Sequence, residues 1–564
     1  MLIALKSILP GSSTAATWSV SPAGSGQSSG TATTVHTIQE AVDRAQSGDV
    51  IRVHAGNYPE QVTLRKSGLT LVAATGSRPK VDGQNRRQYG FYIPASSGVD
   101  DVRIEGFEIA HQTSKGIFSD YGVDDRLVIR DNRIHHIAEK GIQVLKGTGH
   151  LIEANTIYMI GNHQEAMGIH LGSAADHSVV RNNQIYLCKK EGIRDSRGRE
   201  NLIEGNIIHT SWTGIAFNYT QGGTVAYNNY IFNTVYGFNP KHTEGIYGWN
   251  RFWHNTIHDS KLASVGIGIN APPLDYLDVR NNLFSRGGKA NVLESTSLTG
   301  DHLVIDGNGY HSDNGRAPYL YYTASLLSSA NGPRSIDEVR SIAGYELSGV
   351  EIAALDLIAP DRGFLDYPAT SPAAEGSLML QSRYGNQLGA RGLEPTVPYF
   401  EALPLTAIAA STNEAEMGHT TDGLAHTTWD SGTATRDQWI LYDLGRKLAF
   451  RYIVLNPLGH KVEHNVRDLS FEVSQDRSTF MSILATTNNN SGSIFIYELP
   501  EPAVARYLRF NMQNKFPDDG RNWTLNHIKF ADLFLGNLVP VDQPTPAPVL
   551  PGRPANLRIG DSES

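Results

Sequence analysis

The middle of the chain gathers His170, Arg194, Asp195, Tyr219, Lys241 and His242, residue types that move protons and neutralise anions. Such a set suits removal of a proton next to a carboxylate. Arginine and lysine neutralise the carboxylate, a lysine, histidine or arginine of lowered pKa takes the acidified proton, and tyrosine or histidine protonates the leaving oxygen. Crowded cations lower a lysine's pKa, so Lys241 beside His242, and His170 near Arg194, are the base candidates. Tyr219 is the acid candidate. Gln143, Lys146, Lys190, Glu191, Arg197, Asn218, Asn239 and Asn270 supply further polar groups that would grip a hydroxylated, anionic chain.

Residues this far apart can act together only if the scaffold repeats. The tripeptide Asn-x-Ile, or a close variant, begins at Asn132, Asn155, Asn183, Asn206, Asn229, Asn255 and Asn282, at intervals of 23, 28, 23, 23, 26 and 27 residues. Gly-Ile-type steps alternate with these tripeptides: Gly116-Ile117, Gly141-Ile142, Gly168-Ile169, Gly192-Ile193, Gly214-Ile215, Gly237-Phe238 and Gly266-Ile267. A period of this length, with short alternating strands and Asn/Gly corners, describes a coil that cannot bury its apolar face alone and must stack on copies of itself. Stacked corner asparagines can hydrogen-bond in a ladder along the axis. Alternation along each strand points the isoleucine inward and the next residue outward. The outward residues of successive coils then form one face, running from Phe118 and Asp120 through Gln143, His170, Arg194, Ser196 and Asn218 to Asn239, Lys241 and Asn270. Asp195 breaks the pattern, because it takes the inward slot that holds Val144, Leu171 and Phe217 in other coils. A buried carboxylate needs partners, so clamping by Arg194, Arg197 or a neighbouring coil is expected.

These repeats resemble those of the pectate-lyase-like right-handed parallel β-helix superfamily, whose members are secreted polysaccharide lyases and glycoside hydrolases. The opening Thr37-Ile38-Gln39-Glu40-Ala41-Val42, continuing through Gly48-Asp49-Val50-Ile51, is similar to the superfamily's helical cap. Ser371-Pro372-Ala373-Ala374 and Gly389-Ala390-Arg391-Gly392 look like a last coil. Farther on, Thr421-Asp422-Gly423, Thr428-Trp429-Asp430, Gln438-Trp439-Ile440, Phe471-Glu472-Val473-Ser474 and Arg506-Tyr507-Leu508-Arg509-Phe510 resemble a discoidin-like, coagulation-factor type C β-sandwich of the kind that binds carbohydrate. The resemblance implies an all-β chain. Its expected parts are an N-terminal extension over 1–16, a β-helix catalytic domain over 17–398, a β-sandwich over 399–540 and a Pro-rich tail over 541–564. It also implies a structural calcium near Thr421-Asp422-Gly423, and sugar contacts from His460, Arg521 and Trp523, with Trp429 and Trp439 in the core. No other cofactor is called for, and no metal is assigned to the groove. The calcium-binding aspartate cluster of the best-known pectate lyases has no counterpart here.

With 48 Lys and Arg against 57 Asp and Glu, the net charge of −9 argues against a general nucleic-acid binder. Any acidic ligand must meet a local basic patch. No apolar stretch is long enough to span a membrane, and a single cysteine, Cys188, rules out an intramolecular disulfide. A secreted or periplasmic monomer acting on a polysaccharide is expected. The leading activity is β-elimination from a uronic-acid-containing polymer. The alternatives are a hydrolase built on two of Asp120, Glu165, Glu191, Asp195 and Glu244, which needs carboxyls about 5–9.5 Å apart, a uronate epimerase, and a non-catalytic glycan adhesin.

Overall fold

The computed structural model describes residues 15–22, 33–161, 165–267, 274–295, 302–313, 315–322, 332–358, 360, 365–368, 370–374, 388–393, 398–423, 427–434, 436–456, 465–488, 494–516 and 528–539. From Thr17 to Glu351 the chain winds as stacked coils. One parallel sheet of 13 strands runs along one side, and the remaining coil strands join a 22-stranded sheet that bends around the other two. Ile117, Ile142, Ile169, Ile193, Ile215, Phe238, Val265 and Val292 pair in register down the axis and are all buried. The expected ladder of side chains thus forms the core of an all-β right-handed parallel β-helix.

The corner asparagines do what their spacing suggests. Asn132, Asn155, Asn183, Asn206, Asn229, Asn255, Asn282 and Asn308 are buried, and each side-chain amide donates to the carbonyl of the next at 2.8–3.1 Å. The residue just before each asparagine carries the positive φ of the corner, as at Asn182 (55°) and Asn228 (54°). Glu346 ends the ladder by accepting from Asn308 Nδ2 at 2.7 Å and Tyr310 Oη at 2.7 Å, and burial pushes its carboxyl up to about 7. The glycine of each Gly-Ile step is required by close approach: a Cβ on Gly168 would lie 2.6 Å from the carbonyl oxygen of Gly192.

The helix Ile38–Arg44, capped by Thr37 accepting from the Glu40 amide at 3.1 Å, buries Ile38, Ala41 and Val42 over the first coils. At the other end, Leu388–Leu393 does not close a coil. It runs back along the outside, where Gly389 donates to Asn281, Ala390 to Thr256 and Arg391 to Asn228, because Leu388, Ala390 and Leu393 cover apolar residues such as Tyr230 and Leu283.

The C-terminal domain is an antiparallel β-sandwich with a seven-stranded sheet and a two-stranded ribbon, Trp429–Asp430 with Lys529–Phe530. Trp429 is buried as expected, but Trp439 is 36 % exposed, because it alternates with the inward Gln438 and Ile440. The sandwich lies against an outward aromatic stack of the β-helix, Tyr158, Tyr186, His209 and Phe232, with centroids 4.7–5.0 Å apart. Phe400, Tyr452 and Val454 pack on that stack, and Glu498 accepts from His136 at 2.7 Å. Among the described residues no helix is long and apolar enough to cross a membrane.

Candidate functional site

Register places the outward residues side by side. Phe118, Gln143, His170, Arg194, Ala216 and Asn239 pair in sequence, one coil after another. Beyond Pro240 a bulge sets His242, rather than Lys241, opposite Asn218. Lys241 is left as the extra residue, and its side chain reaches back across two coils.

It reaches Glu191. This residue occupies the slot immediately before its Gly-Ile step, in register with Lys140 and Met167, and its side chain is fully buried. Glu191 Oε1 accepts from Lys241 Nζ at 2.7 Å and from Arg194 Nη2 at 2.7 Å, while Arg194 Nε lies 2.5 Å from Oε2. Arg194 also donates to Glu165 Oε2 at 3.1 Å, and Lys190 pairs with Oε1 of the same carboxylate. Burial opposes ionisation of Glu191, but Lys241 and Arg194 outweigh it and hold its carboxyl at about 2. Burial, set against attraction from Glu191, leaves Lys241 below its ordinary value. Glu191 therefore works as the buried counter-ion of the cluster and is not free to touch a ligand.

Lys140 has the properties sought in a base, and the sequence reading passed over it. The residue is only 8 % exposed and its ammonium makes no hydrogen bond or ion pair with the described residues, while neighbouring Lys115 is spoken for by Glu139 at 2.9 Å. Burial first, and then repulsion from Lys115, push its ammonium down to about 8, against attraction from Glu139 and Glu165. The available signal was the residue before each Gly-Ile step, which reads Lys115, Lys140, Met167 and Glu191 in register.

His170 is a poorer base than its position suggested. Its Nδ1 lies 2.8 Å from Gln143 Nε2 and its Nε2 lies 3.1 Å from Ser196 Oγ, so both ring nitrogens are engaged. Burial, with Arg194 and Lys140 nearby, drives its pKa down to about 3, which leaves it neutral. Asp195 faces the coil interior, completely buried. It is held not by arginine but by Asn201 Nδ2 at 3.2 Å and Thr224 Oγ1 at 2.9 Å, because both guanidinium groups lie on the outer side. Burial pushes it up to about 6, yet from inside it cannot meet a substrate.

Farther along the same face, Tyr219 adopts a positive φ of 62° and projects outward, 36 % exposed, with its ring 4.5 Å from His242 and under the Arg197 guanidinium at 5.6 Å. His242 is 3.2 Å from Glu244. Lys146 sits over Tyr121 at 5.5 Å, Gln143 and Asn239 are buried at the floor, and Asn218 is half-buried. Lys189 turns away, over Phe495 of the sandwich at 4.6 Å. Asn270 and the three module residues His460, Arg521 and Trp523 lie outside the described residues, as do the terminal extension to residue 14 and the tail. Cys188 is buried, as expected for a small apolar residue. Among the described residues no group of three or more His, Cys, Asp or Glu could hold a metal. Near the expected calcium segment, Asp422 accepts from Thr427 Oγ1 and Gly423 donates to Asp532, so an ion there would depend on backbone carbonyls.

Comparison with known proteins agrees with both halves. Residues 77–231 and 163–308 match the family described as right handed beta helix region, and residues 405–527 match the F5/8 type C domain. Among solved structures, the pectate lyase Pel9A is 16 % identical over 68 % of this chain and 98 % of its own, with a TM-score of 0.44. The family 32 CBM from C. perfringens NanJ, solved with galactose, is 16 % identical over 24 % of this chain and 99 % of its own, with a TM-score of 0.21. The CBM32 of AlyQ, solved with 4,5-unsaturated mannuronic acid, is 17 % identical over 24 % and 95 %, with a TM-score of 0.19. No curated protein matches the chain. Coil register, asparagine ladder and family matches together make this chain a right-handed parallel β-helix followed by an F5/8 type C, discoidin-like β-sandwich.

Proposed function

We propose that the β-helix face around Arg194 cleaves a uronic-acid-containing polysaccharide by β-elimination. The observation that supports this reading is the charge balance of the cluster. Among the described residues, Lys115, Lys140, Lys190, Arg194 and Lys241 face three carboxylates, Glu139, Glu165 and Glu191, so the cluster carries surplus positive charge on a chain whose net charge is −9. A surplus held in a partly buried groove attracts an anionic sugar and stabilises charge that builds on its carboxylate.

Roles follow from position. Lys190, the more exposed of the two, and the buried Arg194 neutralise the uronate. Lys140, the groove cation brought down to about 8, removes the C5 proton; the C5–H electrons form the C4=C5 double bond, the C4–O bond breaks, and the leaving oxygen takes a proton from water. Tyr219 is three coils along the axis from Lys140, about 14 Å at the usual strand spacing, and six residues along the strand beyond Thr213, the residue in register with Lys140, which suits it to hold a neighbouring sugar with Arg197 and His242 rather than to act on the same bond. The hydrolytic alternative has weaker support, because Glu165 and Glu191 are held ionised by cations and Asp195 points inward. The sandwich is read as a carbohydrate-binding module that keeps the enzyme on its polymer outside the cell.

A panel of alginate, pectin, glucuronan and glycosaminoglycans, followed at once by ultraviolet absorbance of unsaturated uronates and by reducing ends, tests the reaction. Both signals should rise together on at least one acidic polymer, and Arg194→Ala should abolish both. Reducing ends without absorbance would establish hydrolysis instead, and neither signal on any polymer would leave a binding protein.

A further inference from the structure

The exposed apolar surface of the coils is confined to one edge. Among the described residues from Thr17 to Ser295, the large apolar side chains left exposed are Tyr121, Val123, Tyr219, Ile246 and Tyr247. All five lie at or just past the far ends of the groove strands Lys115–Ser119, Ile207–Thr220 and Tyr236–Thr243. Exposed apolar groups gathered in one place mark a contact surface, whereas scattered ones do not.

Register draws two of these tyrosines into a row with two cations. The buried Ser119, Val144, Leu171, Asp195 and Phe217 pair in sequence from coil to coil. Two positions farther along each strand come Tyr121, Lys146, Ser173, Arg197 and Tyr219, with a bulge shifting the middle coil. Lys146 Nζ lies 5.5 Å over the Tyr121 ring, and Arg197 Cζ lies 5.6 Å over the Tyr219 ring. Tyr121 is nevertheless 54 % exposed, so its ring keeps open surface. Among the described residues neither cation has an ion-pair partner, because the carboxylates of this edge are engaged: Asp120 accepts from Tyr92 Oη at 3.2 Å and from the Tyr121 amide at 2.8 Å, Glu244 lies 3.2 Å from His242, and Asp176 lies 2.7 Å from Arg199. From Tyr121 to Tyr219 the row crosses four coil steps, about 19 Å at the usual strand spacing. It keeps to the far side of the groove, since Arg197 is three residues beyond Arg194, about 10 Å along the strand.

We infer that this edge is a binding strip for an acidic polysaccharide laid parallel to the coil axis, with sugar rings against Tyr121 and Tyr219 and carboxylates at Lys146 and Arg197. A pyranose ring offers C–H groups to an aromatic face, and a uronate carboxylate pairs with an unengaged ammonium or guanidinium. Each coil advances about 4.8 Å, close to the length of one pyranose unit, so neighbouring coils meet neighbouring sugars. Tyr247 continues the edge by one coil, its amide donating to Gln221 and its ring 4.7 Å from the Arg199 guanidinium. The choice of ligand rests on the acidic-polymer reading of the groove, but the strip itself needs no elimination at Lys140.

The test measures binding to the full chain carrying Lys140→Arg, so that a bound oligosaccharide is not consumed. Calorimetry is run with polygalacturonate and alginate oligosaccharides of graded length, and with dextran as the neutral comparator. Affinity for at least one acidic series should rise with length until the chain spans the row. Tyr121→Ala and Lys146→Gln should each weaken binding of the longest members about tenfold, the effect of 1.4 kcal/mol, and flatten the rise with length. Equal affinity for short and long chains, parent-like binding in both variants, or equal affinity for dextran would overturn the assignment. So would a dimer in sedimentation that Tyr121→Ala dissolves, because a second copy would then cover the edge. Length-dependent binding without any unsaturated product from the parent would refute elimination and keep the strip, whereas elimination without length dependence would keep the reaction and refute the strip.

Discussion

If Lys140 is the base, its protonation sets the pH dependence of turnover. At a pKa of about 8 roughly a tenth of the molecules carry a neutral Lys140 at pH 7, about 300 times the fraction expected at the ordinary value of 10.5. The rate with saturating substrate should therefore climb about tenfold between pH 7 and pH 9 and then level off. Arginine keeps the positive charge but cannot give up its proton, so Lys140→Arg should lower kcat by about a hundredfold to ten-thousandfold while changing KM little. Lys115 supplies part of the repulsion that depresses Lys140, and in its absence Glu139 is left to attract the ammonium. Lys115→Met should therefore move the rising limb to higher pH while retaining the plateau. Stopped-flow absorbance of the unsaturated product, recorded for the three proteins across pH 6–10, reads all of this. A Lys140→Arg enzyme with more than a tenth of normal kcat, or a limb that stays in place in Lys115→Met, would refute the assignment.

Three further outcomes concern the scaffold. The folded-state pKa of Asp195, about 6, lies above the ordinary 3.8, so protonation favours the fold; that contribution is full below about pH 4 and is lost as pH rises through 6. Asp195→Asn should accordingly raise stability at pH 7 by about 3 kcal/mol and do nothing at pH 3.5, as measured by denaturant unfolding at the two pH values. Asn206→Ala removes an acceptor for both the backbone and side-chain amides of Asn183 and strips donors from Val180 and Asn229, so a loss of about 2–4 kcal/mol should appear in the same assay. Glu191→Gln leaves Lys241 and Arg194 without their buried counter-charge and should cost about 3–5 kcal/mol, visible as a lower Tm. A Glu191→Gln protein as stable as the parent would mean that Glu165 alone suffices to hold the cations.

Much of the architecture was legible because a solenoid writes its geometry as a period. Each Asn-x-Ile marks a corner whose asparagine must meet its counterpart one coil away, and each Gly-Ile marks a place where backbones come too close for a side chain. Period and alternation were enough to put His170 and Arg194 in one row and Asp195 inside. The discoidin-like half was legible from apolar runs and turn residues, but the exposure of Trp439 was not, since alternation there depends on which sheet face the neighbouring strands cover.

The coil, its ladders and the face on which the cations gather follow from local periodicity repeated many times, and so could be read from the residues alone. Which charges neutralise one another is set by the packing of the coils. Lys241 reaches Glu191 through a bulge that no spacing announces, burial lowers the pKa of Lys140, whose ammonium has no ion-pair partner among the described residues, and Asp195 turns to Asn201 and Thr224 rather than to arginine. Pairing and pKa depend on distances between coils and on how much water each group keeps, and those are settled only when the coils stack.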